Sequence, residues 1–83
     1  MFIPGILRFG KVTTLSRGIA SICDTKQNEF HAPISECGAY FPSSLGFYAQ
    51  HEEVRCGTHV AFLIASSGDD VLPTITRWGV VKD

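Results

Sequence analysis

The chain has 83 residues, of which 45% are hydrophobic and 18% are charged, and its formal net charge is −1. This composition excludes an intrinsically disordered chain, because such chains combine few apolar residues with a high net charge. It also excludes a polybasic protein that binds phosphates or acidic lipids through clustered Lys and Arg. Because a chain this short supports only one core, we predict a single domain over residues 1–83.

The cellular compartment is predicted from the apolar runs and the cysteines. The longest apolar run, Val60 to Ala65, is far shorter than the ~20 residues that a membrane-spanning helix needs. The N-terminal run Met1 to Leu7 lacks a basic region and a cleavage pattern, so no signal peptide is predicted. Three cysteines without a repeated spacing suit reduced thiols. We therefore predict a cytoplasmic protein.

The first half of the chain has the pattern of a three-stranded meander. Closely spaced glycines leave few windows for a helix, and β-branched and aromatic residues fill the gaps. A long first strand is predicted over Ile6 to Leu15, followed by a turn at Ser16 to Gly18 and a second strand over Ile19 to Cys23. A polar turn at Asp24 to Asn28 then precedes a short third strand over Glu29 to His31.

The second half is predicted to contain a long connection and two strands. Ser35 to Gln50 is rich in Gly, Pro and Ser, so it is predicted to be a connection rather than a regular element. His59 to Ala65 alternates like a strand over a core. Ser66 to Asp70 is predicted to be a turn, and Val71 to Val81 a last strand with Pro73 at an edge or a bulge.

Five strands in about 80 residues favour an all-β fold, namely a small five-stranded antiparallel barrel of the oligonucleotide-binding type. Closure of the sheet removes the free edges that so short a sheet would otherwise expose. An SH3-like barrel is the main alternative. In either barrel the aromatic residues of the long connection could plug an open end or stack on bases; these residues are Phe41, Phe47 and Tyr48.

The strand sequences resemble a cold-shock domain over most of the chain. The segment Cys56 to Ile64 keeps the Gly, Val, Phe and Ile of that family's fourth strand in step. Gly10 to Leu15 and Arg17 to Ile22 resemble its first two strands, and Gly5 to Phe9 offers a competing register for the first. Asn28 to Ala32 resembles the third strand. Leu72 to Trp78 resembles the closing segment.

The resemblance implies single-stranded nucleic-acid binding through aromatic residues of the second and third strands, each stacked base contributing ~1–3 kcal/mol. Here Ile19, Ser21 and Glu29 stand where three such aromatics would be. We therefore expect weak binding to single-stranded RNA or DNA through the remaining basic and aromatic residues. The candidate binding residues are Arg8, Phe9, Lys11, Arg17, Phe30 and His31.

Neither a metal site nor an enzyme is predicted. Cysteine and histidine side chains are common zinc ligands, but the chain has no Cys-x-x-Cys pair, and Cys56-x-x-His59 alone is a weak signal. No motif of a hydrolase nucleophile or a zinc protease occurs. We expect inert cysteines and no cofactor.

Exposed apolar strand surface suggests a second class of function. Ala61 and Leu63 are predicted to point away from the core, and Trp78 and the segment Met1 to Ile3 add apolar surface near the termini. Small monomers seldom expose a large contiguous apolar patch, so we predict a homodimer through this surface. The alternative function is a barrel that has lost nucleic-acid binding and serves as a protein-interaction or dimerisation module.

Overall fold

The computed structural model describes residues 6–65 and 74–82. The predicted turn at Ser66 to Asp70, Pro73 and the segment Met1 to Ile3 lie outside the described residues. Within the described part the chain is all-β, with β1 (Ile6–Ser16), β2 (Ile19–Asp24), β3 (Glu29–Pro33), a 3-10 turn (Ile34–Glu36), β4 (Cys37–Phe41), β5 (Gly46–Tyr48), β6 (His59–Ala65) and β7 (Thr74–Val81). None of these residues forms a helix long and apolar enough to cross a membrane.

The seven described strands form one curled sheet that resembles half of a barrel. Their order across the sheet is β3-β2-β1-β6-β7-β4-β5. Most neighbours are antiparallel, as expected where short turns join consecutive strands. The exception is the pair β4 and β7, which run parallel with Cys37 beside Trp78 and Tyr40 beside Val81. This pairing joins the middle of the chain to its last strand.

A tight hairpin joins β1 and β2. Ser16 pairs with Ile19, which leaves only Arg17 and Gly18 in the loop. Both loop residues have positive φ angles, 54° for Arg17 and 79° for Gly18. Two-residue hairpin loops favour this conformation because its twist matches that of the strands, and glycine adopts it without a steric penalty. The predicted turn at residues 16–18 is confirmed.

The sheet has an inner face that packs the core and an outer face. In β1 the buried Val12 belongs to the inner face, whereas the exposed Phe9 and Lys11 belong to the outer face. In β6 the fully buried Val60 and Phe62 are on the inner face. The alternation of side chains along each strand therefore separates the core from the surface on which Phe9 and Lys11 lie.

The core lies against the inner face and its largest members are Trp78 and Phe62. The Trp78 side chain is 1% exposed, and its indole Nε1–H donates a hydrogen bond to the Pro33 carbonyl oxygen over 3.0 Å. Phe62 packs against Phe30, with ring centroids 5.2 Å apart. The buried residues of the core cluster are Val12, Ala20, Ile22, Ala32, Cys37, Val54, Val60, Phe62, Ile64 and Trp78. The core thus links β7 to β3.

All five predicted strands are confirmed within the described residues, and the prediction of a long connection is wrong. The structure bears out the strands in β1, β2, β3 and β6, with the predicted bounds of β6 reproduced, and it confirms the last strand from Thr74 onwards as β7. The segment Ser35 to Gln50 was expected to lack regular structure, yet it contains β4 and β5. β4 pairs with β7, far away in sequence, so short-range patterns do not reveal it. The described sheet consequently has seven strands where five were expected.

Two of the side chains expected to form an exposed apolar surface are buried, so that expectation is wrong for them. Trp78 is in the core, and Ala61 is fully buried although it belongs to the outer face. Phe9, the cross-strand partner of Ala61, packs against Tyr40, and aromatic rings thus occupy this part of the outer face. Leu63 is half-buried. The apolar side chains that are exposed on β1 are instead Ile6, Leu7 and Phe9.

Candidate nucleic-acid interface

A shallow groove of about 610 Å³ crosses the outer face of the sheet, and we call it the outer groove. Its volume lies within the ~300–1,000 Å³ that ligand-binding pockets commonly have. Side chains of β1, β2, β6 and β7 contribute to it, because these strands are neighbours in the sheet. The lining residues are Phe9, Gly10, Lys11, Thr13, Cys23, Asp24, Thr25, His59, Val60 and Val81.

Phe9 offers an aromatic surface at the outer groove. The residue is 44% exposed, which is high for a phenylalanine in a strand. Its ring meets the buried Tyr40 ring edge-on, with centroids 5.8 Å apart, and Tyr40 in turn packs against Phe47 at 4.7 Å. This row of rings holds Phe9 in place, because edge-to-face pairs contribute ~0.5–1.5 kcal/mol beyond their buried area. A rigid, half-exposed ring is suited to stacking.

Lys11 places a positive charge beside Phe9. The two residues are two positions apart in β1 and so lie on the same face. Lys11 pairs across the sheet with Cys23 of β2 on one side and with His59 of β6 on the other. Its ammonium group forms no ion pair with any carboxylate of the described residues. The charge of Lys11 therefore stays available for a ligand at the groove.

Asp24 is the one acidic residue among those that line the groove, and its carboxylate is fully engaged in the protein. The backbone N–H groups of Lys26 and Asn28 donate to Oδ1 over 2.9 and 2.8 Å. The side-chain amide of Asn28 donates a hydrogen bond to Oδ2 over 3.3 Å, and the Arg8 guanidinium lies 3.5 Å from the same oxygen. Burial raises the pKa of Asp24, but these hydrogen bonds and the Arg8 charge together outweigh it and lower the pKa.

The lowered pKa of Asp24 predicts a loss of stability in acid. The ionised carboxylate stabilises the fold at pH values above the ordinary pKa of 3.8, and this contribution is lost as the pH falls through the lower pKa of the folded state. Thermal unfolding followed by circular dichroism from neutral pH to below pH 3.8 will measure it. We expect Asp24→Asn to unfold at a lower temperature near neutral pH and to show a smaller acid dependence. Parallel curves for both proteins would contradict the assignment.

The structure gathers only part of the predicted set of binding residues at the outer groove. Phe9 and Lys11 line it. Arg17 is exposed in the β1–β2 loop, and His31 is exposed on β3, where Glu29 Oε2 lies 3.1 Å from His31 Nε2. Both belong to the same half of the sheet but lie outside the groove lining.

Arg8 and Phe30 occupy other environments. Arg8 alternates with Phe9 along β1 and is half-buried, with its guanidinium directed at Asp24. Phe30 is half-buried and packs on Phe62 at the edge of the core. Neither lines the outer groove. Their contacts are those of residues that stabilise the curled sheet.

His59 also lines the groove, although the sequence pattern indicated only a role as a metal ligand for it. It is exposed, and it lies directly across from Lys11 because β1 and β6 pair in that register. The alternation of β6 already places His59 on the same face as Ala61 and Leu63. The missing information was the pairing of β6 with β1 rather than with another strand.

The three cysteines are free thiols in different environments. Cys23 is half-buried, Cys37 is buried and Cys56 is exposed. Burial raises the pKa of the Cys37 thiol to about 11, so this thiol stays protonated and unreactive at neutral pH. Within residues 6–65 and 74–82, no three Cys, His, Asp or Glu side chains are grouped so that they could hold a metal ion.

Comparison with protein-family models, with curated proteins and with solved structures finds no match to this chain.

Proposed function

We propose that this protein binds single-stranded RNA or DNA at the outer groove, with Phe9 as a stacking surface and Lys11 as a phosphate contact. The observation that carries the proposal is the juxtaposition of a half-exposed aromatic ring with a cation that has no carboxylate partner among the described residues. Proteins that hold single strands combine these two elements, since every base has a π-face and every nucleotide a phosphate.

The strand pairing supports a barrel of the oligonucleotide-binding type, similar to a cold-shock domain. β3 and β4 are separated along the chain only by the 3-10 turn. In the sheet, however, β3 is the first strand and pairs with β2, whereas β4 is the sixth strand and pairs with β7. Two hydrogen bonds tie this bend to the rest of the sheet, from Ile34 N–H to Gly18 O over 2.8 Å and from the Trp78 indole to Pro33 O. If β3 and β4 are regarded as one bent strand, five strands form the barrel and β5 is an added edge strand.

The composition of the groove limits the affinity. One exposed ring supplies ~1–3 kcal/mol of stacking, and the groove contains one lysine and one histidine as possible phosphate contacts. The net charge of −1 adds no long-range attraction for a polyanion. We therefore expect binding of short strands, strongest at low salt, and without a requirement for a particular base.

Oligonucleotide titration at several salt concentrations tests the proposal. We expect Phe9→Leu to weaken the binding of a labelled single strand by roughly 5- to 150-fold, which corresponds to the loss of one stacked base. Lys11→Gln should reduce the magnitude of the negative slope of log affinity against log salt by about 0.7, the value for one phosphate contact with a single strand. Fluorescence anisotropy is a suitable measurement.

A matched control distinguishes a specific phosphate contact at the groove from the general effect of removing one positive charge. Lys26→Gln removes the same charge from an exposed turn residue that does not line the groove, and it should leave the affinity nearly unchanged. Wild-type protein that binds no single strand at low salt would contradict the proposal and would favour the protein-interaction alternative. Equal losses for Lys11→Gln and Lys26→Gln would place the binding surface elsewhere.

A further inference from the structure

A second, smaller cavity of about 360 Å³ lies between β7, the start of β4 and β5. It shares no lining residue with the outer groove. Its lining residues include Arg77, His51, Glu36, Phe47 and Gly38. Its volume is at the lower end of the range for small-molecule sites, so it is sized for a small ligand rather than for a long chain.

The charges around this cavity are of both signs and are unpaired within the described part of the chain. Arg77 and Glu36 are both exposed, and neither forms an ion pair with another described residue. A guanidinium presents a planar fork of donors that fits the oxygens of a phosphate or carboxylate. A carboxylate accepts hydrogen bonds from an amino group. A ligand with an anionic end and an amino-bearing end would satisfy both residues.

An aromatic residue of the edge strand β5 also lines this cavity. Phe47 is half-buried, and its ring is held against Tyr40 with the centroids 4.7 Å apart. A planar ligand could lie against such a ring and gain stacking energy. Gly38 lets β5 lie close to β4 at this cavity, because a Cβ on residue 38 would collide with the Tyr48 carbonyl oxygen.

From these features we infer that the cavity binds one nucleotide that carries a terminal phosphate and a base with an exocyclic amine, such as cytidine 5′-monophosphate. Arg77 binds the phosphate, Phe47 packs against the base and Glu36 accepts a hydrogen bond from its amino group. Acidic side chains that accept from the cytosine amine make the same pairing in other protein–nucleic-acid contacts. This second site goes beyond the proposed single-strand binding at the outer groove and does not depend on it.

The chain has a single tryptophan, Trp78, which lines this cavity, so its indole N–H provides one isolated nuclear magnetic resonance signal. Titration with cytidine 5′-monophosphate should shift this signal and the Gly38 amide in a saturable manner at millimolar ligand. Arg77→Gln should weaken the binding roughly tenfold or more, as expected for the loss of a charged hydrogen bond. Arg55→Gln is the matched control, since Arg55 is exposed and does not line the cavity.

Three further ligands test the individual contacts. Cytidine without a phosphate should bind more weakly than the nucleotide, and its affinity should not change with Arg77→Gln. Uridine 5′-monophosphate should bind at least about fivefold more weakly, because it offers Glu36 no amine. A short strand with a 5′-phosphate should shift the Trp78 signal more than the same strand with a 5′-hydroxyl if strand ends are the natural source of the nucleotide. Equal shifts would assign the site to free nucleotides.

Experiments can reject either of the two proposed sites without affecting the other. Lys11→Gln should weaken the single strand at the outer groove without changing the affinity for cytidine 5′-monophosphate. If the nucleotide leaves the Trp78 and Gly38 signals unshifted, or if Arg77→Gln and Arg55→Gln weaken it equally, the second site is overturned whatever the oligonucleotide titration shows. If the nucleotide binds as expected and the single strand does not, the second site stands and the outer groove does not.

Discussion

Replacement of Trp78 by alanine is expected to lower the free energy of unfolding by about 3–5 kcal/mol, the range for removal of a large buried aromatic residue. The side chain is 1% exposed and belongs to the core cluster. Removing it also leaves the Pro33 carbonyl without its indole donor. Since domains are commonly stable by only ~5–15 kcal/mol, this variant should be close to unfolded at room temperature.

Trp78→Phe distinguishes the two roles of the indole. Phenylalanine retains most of the buried apolar volume but cannot donate to Pro33, so a loss of about 1–3 kcal/mol is expected. Urea denaturation followed by far-ultraviolet circular dichroism measures both variants. A loss below about 1 kcal/mol for Trp78→Ala would contradict a core position, because only surface substitutions are commonly that mild.

The inward position of Trp78 shows why part of this fold could not be predicted from short-range patterns. Simple alternation from Ile75, which packs against the core, would put Arg77 inside and Trp78 outside. The pairing of β6 with β7 shifts register between Leu63 and Ile64, where Leu63 faces Arg77 and Ile64 faces Ile75. This bulge reverses the alternation, so that Ile75 and Trp78 both pack inward.

Strands that pair with sequence neighbours were predictable, and those that depend on distant partners were not. β1 and β2 are joined by a two-residue loop, and the alternation of β6 is visible in its own sequence. β4 instead depends on its parallel partner β7, and its glycine and the proline that follows it resemble turn residues.

The candidate site shows the same division. Lys11 and Phe9 were predicted from the resemblance of the first strand to a cold-shock domain, each in a different one of its two competing registers. His59 was missed because its position depends on the register between β1 and β6. The cavity around Arg77 could not be anticipated either, since it needs β4, β5 and β7 to be neighbours. Contacts across the sheet carry this information, and the local sequence does not.

Gly79→Ala is expected to cost about 3 kcal/mol or more, at the upper end of what overpacking usually costs. A Cβ on residue 79 would lie 2.7 Å from the carbonyl carbon and 2.8 Å from the carbonyl oxygen of Gly38, and 2.9 Å from the Ala39 nitrogen. All three are backbone atoms, so no side-chain rotation can relieve the contact. The parallel strands β4 and β7 would have to separate, which would weaken the pairing that carries β4 and β5.

Gly46→Ala is the matched control for this prediction. Its Cβ would meet the Tyr48 ring at 3.5 Å, an ordinary contact distance, so the free energy of unfolding should change by less than about 1 kcal/mol. Urea denaturation compares the two variants, and hydrogen exchange locates the effect. In Gly79→Ala the Lys82 amide, which donates to Tyr40 O over 3.0 Å, should lose protection first. If both alanine variants are as stable as the wild type, β4 and β7 do not approach each other this closely. The cavity that these strands form with β5 would then not have the described shape.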